Sequence, residues 1–190
     1  MRLNPPMTMM DFFRKSEGVW YSQRTVHHFD TTNEQSGDSN IVIELLDNND
    51  SRIRKVCEEQ NVNPDLAVGG ATFLWQDNLD DTNPNKDWAA ILVDIPNQTD
   101  ASKGRFLRNK GYVEGIPVVC EYSFAPDGVL TILTEYEKNQ GMERCWFLTD
   151  DFRVRVSTVK MMNGVNLMGY CSERRCLSQE KLAQMAREFQ

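Results

Sequence analysis

The chain has 190 residues, of which 40% are hydrophobic and 26% are charged, a balance typical of one globular domain with a substantial core. Its formal charge of −7 argues against non-specific nucleic-acid binding, which needs an excess of Lys and Arg to neutralise phosphates. No apolar run approaches the roughly 20 residues that cross a bilayer, so we expect no membrane helix, and the N-terminus lacks a secretory-signal pattern.

The first predicted element is a short amphipathic helix over about residues 8–17. Thr8 is a suitable N-cap residue, and Gly18 is expected to end the helix. The apolar residues of this helix are suited to plugging one end of a barrel. A strand rich in Trp, Tyr, Thr and Val is predicted to follow over residues 19–29.

The next segment is polar before it becomes apolar again. Residues 31–40 are predicted to form a loop, and residues 41–46 a second strand. A second helix is predicted to begin at Asp50, where the apolar residues recur every three to four positions, and to end at Pro64.

From residue 66 onward the pattern is almost entirely that of β-strands. Turn sequences separate several of them, including Pro126-Asp127-Gly128 and the hairpin signal Asn163-Gly164. Strands joined by hairpins at intervals of roughly 8–12 residues predict an antiparallel up-and-down meander. The predicted strands cover residues 67–76, 88–96, 103–110, 116–124, 129–137, 141–148, 152–161 and 166–175.

About ten strands in one small domain must close or stack, because a long open sheet leaves unpaired edges. A barrel of about eight to ten strands has an interior large enough for one small ligand. We therefore predict an all-β fold, a ten-stranded antiparallel up-and-down barrel, as a single domain over residues 1–190. The barrel would cover about residues 18–176, and residues 177–190 would form a further helix or a tail.

The cysteines and histidines do not predict a metal site. The five cysteines form an odd set with no Cys-x-x-Cys motif, and the two histidines, His27 and His28, are adjacent. A structural zinc site needs closely spaced ligand pairs, so we expect no metal. Reduced thiols in a cytosol-like compartment are the simplest interpretation.

A carboxylate and two arginines stand on neighbouring predicted strands late in the chain. Arg153 and Arg155 are two residues apart, so on a strand they point the same way, and Glu143 precedes them on the adjacent strand. Two parallel guanidinium groups suit a ligand with two carboxylates. If this face is the inside of a barrel, it is a binding cup for an acidic planar molecule. If it is the outside, it is a cross-strand ladder of solvated ion pairs.

The first predicted strand has no purely apolar face. Arg24 shares one face with Trp20 and Ser22, whereas His27 lies on the other face with Tyr21. Mixed faces are usual for a strand that lines a polar cavity, although a single histidine is more often structural than chemical. Adjacent histidines face the same side only if a bulge intervenes.

Trp75 follows the pair Gly69-Gly70 on a predicted strand and has two interpretations, as have Trp88 and Trp146. It either stacks on a flat ligand ring or belongs to the core. The sequence contains no nucleophile elbow, phosphate-binding glycine loop or metal-binding helix motif. Any catalysis is therefore expected to act through binding, orientation and proton supply to a reactive ligand.

Three groups of residues, in this order, resemble a known family. They are Trp20-x-Ser22-x-Arg24-Thr25-x-His27-His28, Leu66-Ala67-x-Gly69-Gly70-Ala71, and Glu143-Arg144-x-Trp146-Phe147 followed by Arg153-x-Arg155. From about residue 10 to about residue 176 the chain resembles the S-type phycobiliprotein lyases, the bilin chromophore lyases of the CpcS/CpeS family. The resemblance implies a lipocalin-like, fatty-acid-binding-protein-like barrel of ten antiparallel strands.

The resemblance also implies an activity and its site. It implies attachment of an open-chain tetrapyrrole, or bilin, to a cysteine of a partner protein, so that no cysteine of this chain is required. Arg153 and Arg155, with Arg24 as a third candidate, would bind the two propionates. Glu143 would face the pyrrole nitrogens, Glu143 and Arg155 would be catalytic, and His27 and Trp75 would complete the bilin site.

The implied substrate is phycocyanobilin or phycoerythrobilin, with no tightly bound cofactor. The implied partner is an apo-phycobiliprotein subunit of phycocyanin, allophycocyanin or phycoerythrin type, with no nucleic acid and no membrane, and a homodimer fits the family. The expected location is a cyanobacterial-type cytoplasm or a plastid stroma. Two alternatives stay open: a non-catalytic carrier of a bilin, fatty acid or other acidic ligand in the same barrel, and a pure interaction module.

Overall fold

The computed structural model describes residues 7–29, 34–76, 89–111, 115–161 and 164–176. Within them, ten antiparallel strands close into a barrel in which each strand pairs with its neighbours in sequence and β1 pairs with β10. This confirms the predicted fold. The strands are β1 Gly18–His28, β2 Glu34–Asp47, β3 Gly69–Gln76, β4 Ala89–Pro96, β5 Lys103–Arg108, β6 Val118–Phe124, β7 Leu130–Glu135, β8 Asn139–Thr149, β9 Phe152–Met161 and β10 Gly164–Arg175.

The strand pairing assigns each side chain to the inside or the outside of the barrel. Opposed residues share a face, so the inner layer can be followed from strand to strand. Trp20, for example, is opposite Ile41, which is opposite Trp75. The inner layer forms a core cluster rich in aromatic residues, whereas a second, smaller cluster lies on the outer wall.

The predicted N-terminal helix, α1 Met9–Ser16, plugs one end of the barrel. The backbone N–H of Asp11 donates to Oγ1 of the N-cap Thr8 at 3.1 Å. The apolar face of α1 is buried, and Phe12 packs against Phe124 and Phe147 with ring centroids 6.1 and 5.5 Å apart.

The C-terminal end of α1 is fastened to the barrel wall. The indole of Trp20 donates to the carbonyl oxygen of Ser16 at 2.7 Å, and the Arg175 guanidinium donates to the carbonyls of Lys15, at 2.7 Å, and Glu17. These donors satisfy backbone carbonyls that a helix end leaves without partners, and the Arg175 charge complements the helix dipole.

The second helix, α2 Ser51–Glu59, covers the outer wall. Asp50 is its N-cap, with Oδ1 accepting from the backbone N–H of Arg52 at 2.9 Å. Ile53 and Val56 are buried in the outer cluster with Val93 and Leu107. This cluster lies on the opposite side of the wall from the aromatic interior, so α2 stabilises the barrel without entering it.

Near the plugged end a carboxyl group is buried on the inner face of β4. Asp94 is 1% exposed and accepts a hydrogen bond from the hydroxyl of Tyr122 at 2.9 Å. Burial raises the pKa of Asp94 to about 6, although the Tyr122 hydrogen bond acts in the opposite direction. The group is therefore held largely protonated in mildly acidic solution.

Two predicted boundaries were wrong. Residues 34–40 belong to β2 and not to a loop, because they pair with β1. Their polar composition is compatible with a strand, since neither face of this part of the hairpin requires apolar side chains. The second helix ends at Glu59, because Asn61 takes a left-handed backbone conformation (φ 55°); Pro64 begins a separate 3-10 turn, Pro64–Leu66.

Some of the remaining predictions concern residues outside the described ranges, namely Trp88, Asn163 and the segment 177–190. Among the described residues, no helix is long and apolar enough to span a membrane, and no group of three His, Cys, Asp or Glu residues is arranged to hold a metal ion. All five cysteines are free thiols.

Candidate functional site

Strands β8, β9 and β10 bring charged side chains together on the inner wall of the barrel. On β9, Arg153 is opposite Glu173 of β10, and Arg155 is opposite Cys145 of β8 and Cys171 of β10. Cys145 and Cys171 are both buried in the barrel. The two arginines therefore face inward and do not form a ladder of ion pairs on the outer wall.

Arg153 is committed to the structure around it. It is 3% exposed, and its Nε donates to Oε2 of Glu173 while its Nη1 donates to Oγ of Ser16 at 2.9 Å. Its guanidinium carbon lies 4.6 Å from the ring centroid of Trp20. Arg153 thus links β9 and β10 to the end of α1, and we assign it a structural role.

Arg155 and Glu143 form the more accessible part of the cluster. Their side chains are 17% and 23% exposed, and Nη1 of Arg155 lies 3.4 Å from Oε2 of Glu143. The other amino group of Arg155, Nη2, is 3.0 Å from Oε1 of Glu173. Arg155 therefore lies between the buried carboxylate of Glu173 and the carboxylate of Glu143, which is partly exposed toward the interior of the barrel.

Glu173 was missed by the sequence analysis, although it is at the centre of the cluster. It is 0% exposed and contacts Arg153 and Arg155, with the Ser22 hydroxyl donating to it at 3.4 Å. Burial opposes its ionisation, but the two guanidinium charges outweigh burial and hold the pKa of Glu173 below its usual value. Glu173 is two residues from Cys171 on β10, so the alternation of a strand places the two side chains on the same face. This spacing was the signal in the sequence that could have found it.

Arg24 lies on the same inner face of β1 as Ser22, opposite Cys171. Its side chain is exposed, in contrast to Arg153. Because Cys171 is directly opposite both Arg24 and Arg155, the two arginines stand two strands apart on one wall, about 10 Å at the usual strand spacing. Arg24 and Arg155, and not Arg153 and Arg155, are the pair of accessible cations.

The structure does not bring His27 into this group. No register shift interrupts β1, so His27 lies on the outer face, where Nδ1 is 3.9 Å from Oε2 of Glu34. Arg144 is also outside and exposed, which places Glu143, its neighbour, inside. Trp75 lies on the inner face of β3, partly buried and stacked on Phe73 with centroids 6.2 Å apart. Trp146 is on the outer side.

Three thiols line the interior near these charges, and burial is the main influence on each. Desolvation raises the pKa of Cys145 to about 12 and also raises the pKa values of Cys120 and Cys171. The guanidinium of Arg155 acts in the opposite direction on Cys171, whose Sγ is 3.7 Å from Nη2. At neutral pH these thiols are protonated and are poor nucleophiles.

The site as a whole combines two accessible cations, one reachable carboxylate and aromatic walls. Paired cations of this kind recognise carboxylate groups of a ligand, and the carboxylate of Glu143 can accept from ligand N–H groups. Trp75 and the aromatic interior provide flat apolar surfaces. The arrangement is suited to a flat, acidic molecule that also carries nitrogen donors.

Comparison with known proteins is consistent across nearly the whole chain. The family described as CpeS-like protein matches residues 8–176. The chain is 64% identical over 188 residues to chromophore lyase CpcS/CpeS 4 of Trichodesmium erythraeum, covering 99% of this chain and 97% of the relative. It is 35% identical to the phycocyanobilin lyase subunit CpcS of a Picosynechococcus species, covering 94% and 91%.

Among solved structures, the S-type phycobiliprotein lyase CpeS from Guillardia theta is similar to this chain. The two share 26% sequence identity with a TM-score of 0.74, and the alignment covers 91% of this chain and 95% of the other. The closed ten-stranded barrel therefore has a counterpart of known three-dimensional structure.

Proposed function

The chain belongs to the CpeS-like family, and we propose that it is a chromophore lyase that binds a free bilin inside its barrel and attaches it through a thioether bond to a cysteine of a phycobiliprotein subunit. A bilin is an open-chain tetrapyrrole, flat and conjugated, with two propionates and a row of pyrrole nitrogens. The interior of the barrel offers a partner for each of these features.

The observation that carries the proposal is the position of Arg155, Glu143 and Arg24 on one inner wall. We assign the propionates to Arg155 and Arg24, which flank Cys171 from the two neighbouring strands. A hydrogen bond to a charged group is worth about 1.5–3 kcal/mol, so two such contacts orient the ligand as well as bind it. Trp75 would pack on a pyrrole ring from β3.

Glu143 is assigned to the pyrrole nitrogens. A carboxylic acid at this position supplies a proton to the tetrapyrrole, which makes the exocyclic ethylidene group a better electrophile. The partner's thiol then adds to that carbon: the new bond is C–S, the exocyclic double bond is lost, and the thiol proton returns to Glu143, so that the tetrapyrrole gains one hydrogen in total. No oxidant or reductant is consumed in this addition.

The chain's own thiols support a role as donor and not as acceptor of the chromophore. Cys145 and Cys171 lie beside Arg155, yet burial raises their pKa values and keeps them protonated. A bilin held near them is therefore protected from reaction with the lyase. The acceptor cysteine belongs to the partner, which must approach the bound ligand.

We further propose phycocyanobilin or phycoerythrobilin as the substrate, and a phycocyanin, allophycocyanin or phycoerythrin subunit as the acceptor. We also propose that the chain works in a cytosol-like compartment and that it forms a homodimer. Light scattering of the purified chain tests the dimer, and absorption titrations with each free bilin rank the substrates.

The decisive experiment incubates the chain with free bilin and an apo-phycobiliprotein subunit, then denatures the mixture. We expect colour that stays with the subunit under denaturing electrophoresis and a mass increase of the subunit by one bilin. A carrier would give a coloured complex that is lost on denaturation, and a pure interaction module would bind no bilin. Either of these results would refute the lyase assignment.

A further inference from the structure

Glu173 is a carboxylate that the fold buries completely at the back of the proposed bilin site. A buried charge is costly unless it is paired and hydrogen-bonded. Glu173 is paired twice: Oε2 accepts from Nε of Arg153, and Oε1 is 3.0 Å from Nη2 of Arg155. The Ser22 hydroxyl donates to Oε1 at 3.4 Å.

These contacts give the guanidinium of Arg155 one side that faces Glu173 and another that faces Glu143. Nη2 faces Glu173, which is fully buried on β10 between β1 and β9. Nη1 faces Glu143, at 3.4 Å, and the interior of the barrel. The direction of the side toward the interior thus depends on Glu173, which is fully buried.

Glu173 also separates two like charges. Arg153 and Arg155 are two residues apart on one face of β9, so their guanidinium groups are neighbours in a largely buried site, where charges interact more strongly than in water. The carboxylate lies between them and neutralises one charge. Without it, the two cations would repel each other, and Arg155 would turn from the wall toward water or toward Glu143.

We propose that Glu173 is a positioning residue for bilin binding: it fixes Arg155 in the orientation that receives a propionate, without itself contacting the bilin. This inference rests on the proposed function and extends it to a residue outside the ligand-facing surface. The anchoring continues to α1, because Arg153, the other partner of Glu173, donates to Ser16 at the end of that helix.

The test compares two ligands that differ only at the propionates: the free bilin and its dimethyl ester. Absorption titration of the wild-type chain should show tighter binding of the diacid. For Glu173→Gln, we expect diacid affinity to fall roughly tenfold or more and ester affinity to stay unchanged, because only the propionate contact is lost. Glu173→Asp, which keeps the charge, should recover part of the loss.

Matched controls separate this role from a general structural one. Glu121→Gln, on the outer face of β6, should bind both ligands as the wild type does. Circular dichroism and urea denaturation establish that each variant is folded. If Glu173→Gln does not fold, Arg153→Met combined with Glu173→Gln removes the charge that would be left unpaired, and the same selective loss is expected.

The outcomes are distinguishable. An equal loss of affinity for diacid and ester would show that Glu173 only supports the fold, and an unchanged diacid affinity would show that Arg155 does not depend on it; either result overturns the inference while leaving the lyase function intact. Equal wild-type affinities for the two ligands would overturn the propionate contact and the inference together. Failure of the wild type to attach bilin would refute the proposed function.

Discussion

Asp94 gives a quantitative prediction about stability. Its pKa of about 6 in the folded chain compares with an ordinary value of 3.8, so the folded state binds more protons between these values. The contribution of Asp94 to the free energy of unfolding must therefore fall as the pH rises from about 4 to about 6, and stay level above that range. A difference of about two pKa units corresponds to about 3 kcal/mol.

Asp94→Asn isolates this contribution. The amide keeps the size of the side chain and an oxygen that accepts from the Tyr122 hydroxyl, but it cannot ionise. We expect the unfolding free energy of the variant minus that of the wild type to rise by up to about 3 kcal/mol between pH 4 and pH 7. Urea denaturation followed by tryptophan fluorescence at several pH values measures this difference.

The test uses the difference in unfolding free energy between the variant and the wild type. The wild-type curve alone is not sufficient, because other carboxyl groups contribute a stability with the opposite dependence on pH. Glu173, whose pKa lies below its usual value, contributes stability that is lost as the pH falls. Asp47→Asn, at an exposed position at the end of β2, is the matched control. A difference between Asp94→Asn and wild type that is flat or falls with pH would refute the reasoning.

Further predictions concern the charge cluster and the thiols. Arg155→Ala should lower bilin affinity roughly ten- to hundredfold in an absorption titration, whereas Arg144→Ala, on the outer face, should not. Glu143→Gln should slow attachment to the acceptor at saturating bilin more than it weakens binding, and an equal effect on both would contradict a proton-donating role. Arg153→Ala should reduce the unfolding free energy by about 3–5 kcal/mol in urea, because it breaks a buried ion pair; a loss below 1 kcal/mol would contradict its structural assignment. Ellman's reagent should find one fast-reacting thiol, Cys176, in the native chain and five in denaturant.

The sequence predicted the barrel well because alternation and turn chemistry are local signals. Ten strands and both helices were anticipated, and the twofold repeat of a strand correctly placed Arg153 and Arg155 on one face. The polar half of β2 was missed, because a strand without a required apolar face has the composition of a loop.

The division of labour within the site could not be predicted, because it depends on register between strands that are distant in sequence. Arg153 and Arg155 look equivalent in the sequence, but only Arg153 is aligned with Glu173 at the plugged end of the barrel. Glu173 itself precedes two arginines, so the end of β10 resembled a basic surface segment. The inner position of Arg24 and the outer position of His27 followed from parity once β1 proved free of bulges.

The fastening of α1 has a consequence for the order of events in the catalytic cycle. Since Arg175 and Trp20 secure that helix across one end, we expect a bilin to enter and leave the proposed site from the opposite end, where β1 ends and β2 begins. Loading and delivery would then share that end of the barrel. An acceptor subunit docked there to collect its pigment would block the next pigment from entering, so successive rounds would be forced to alternate and excess acceptor would slow uptake.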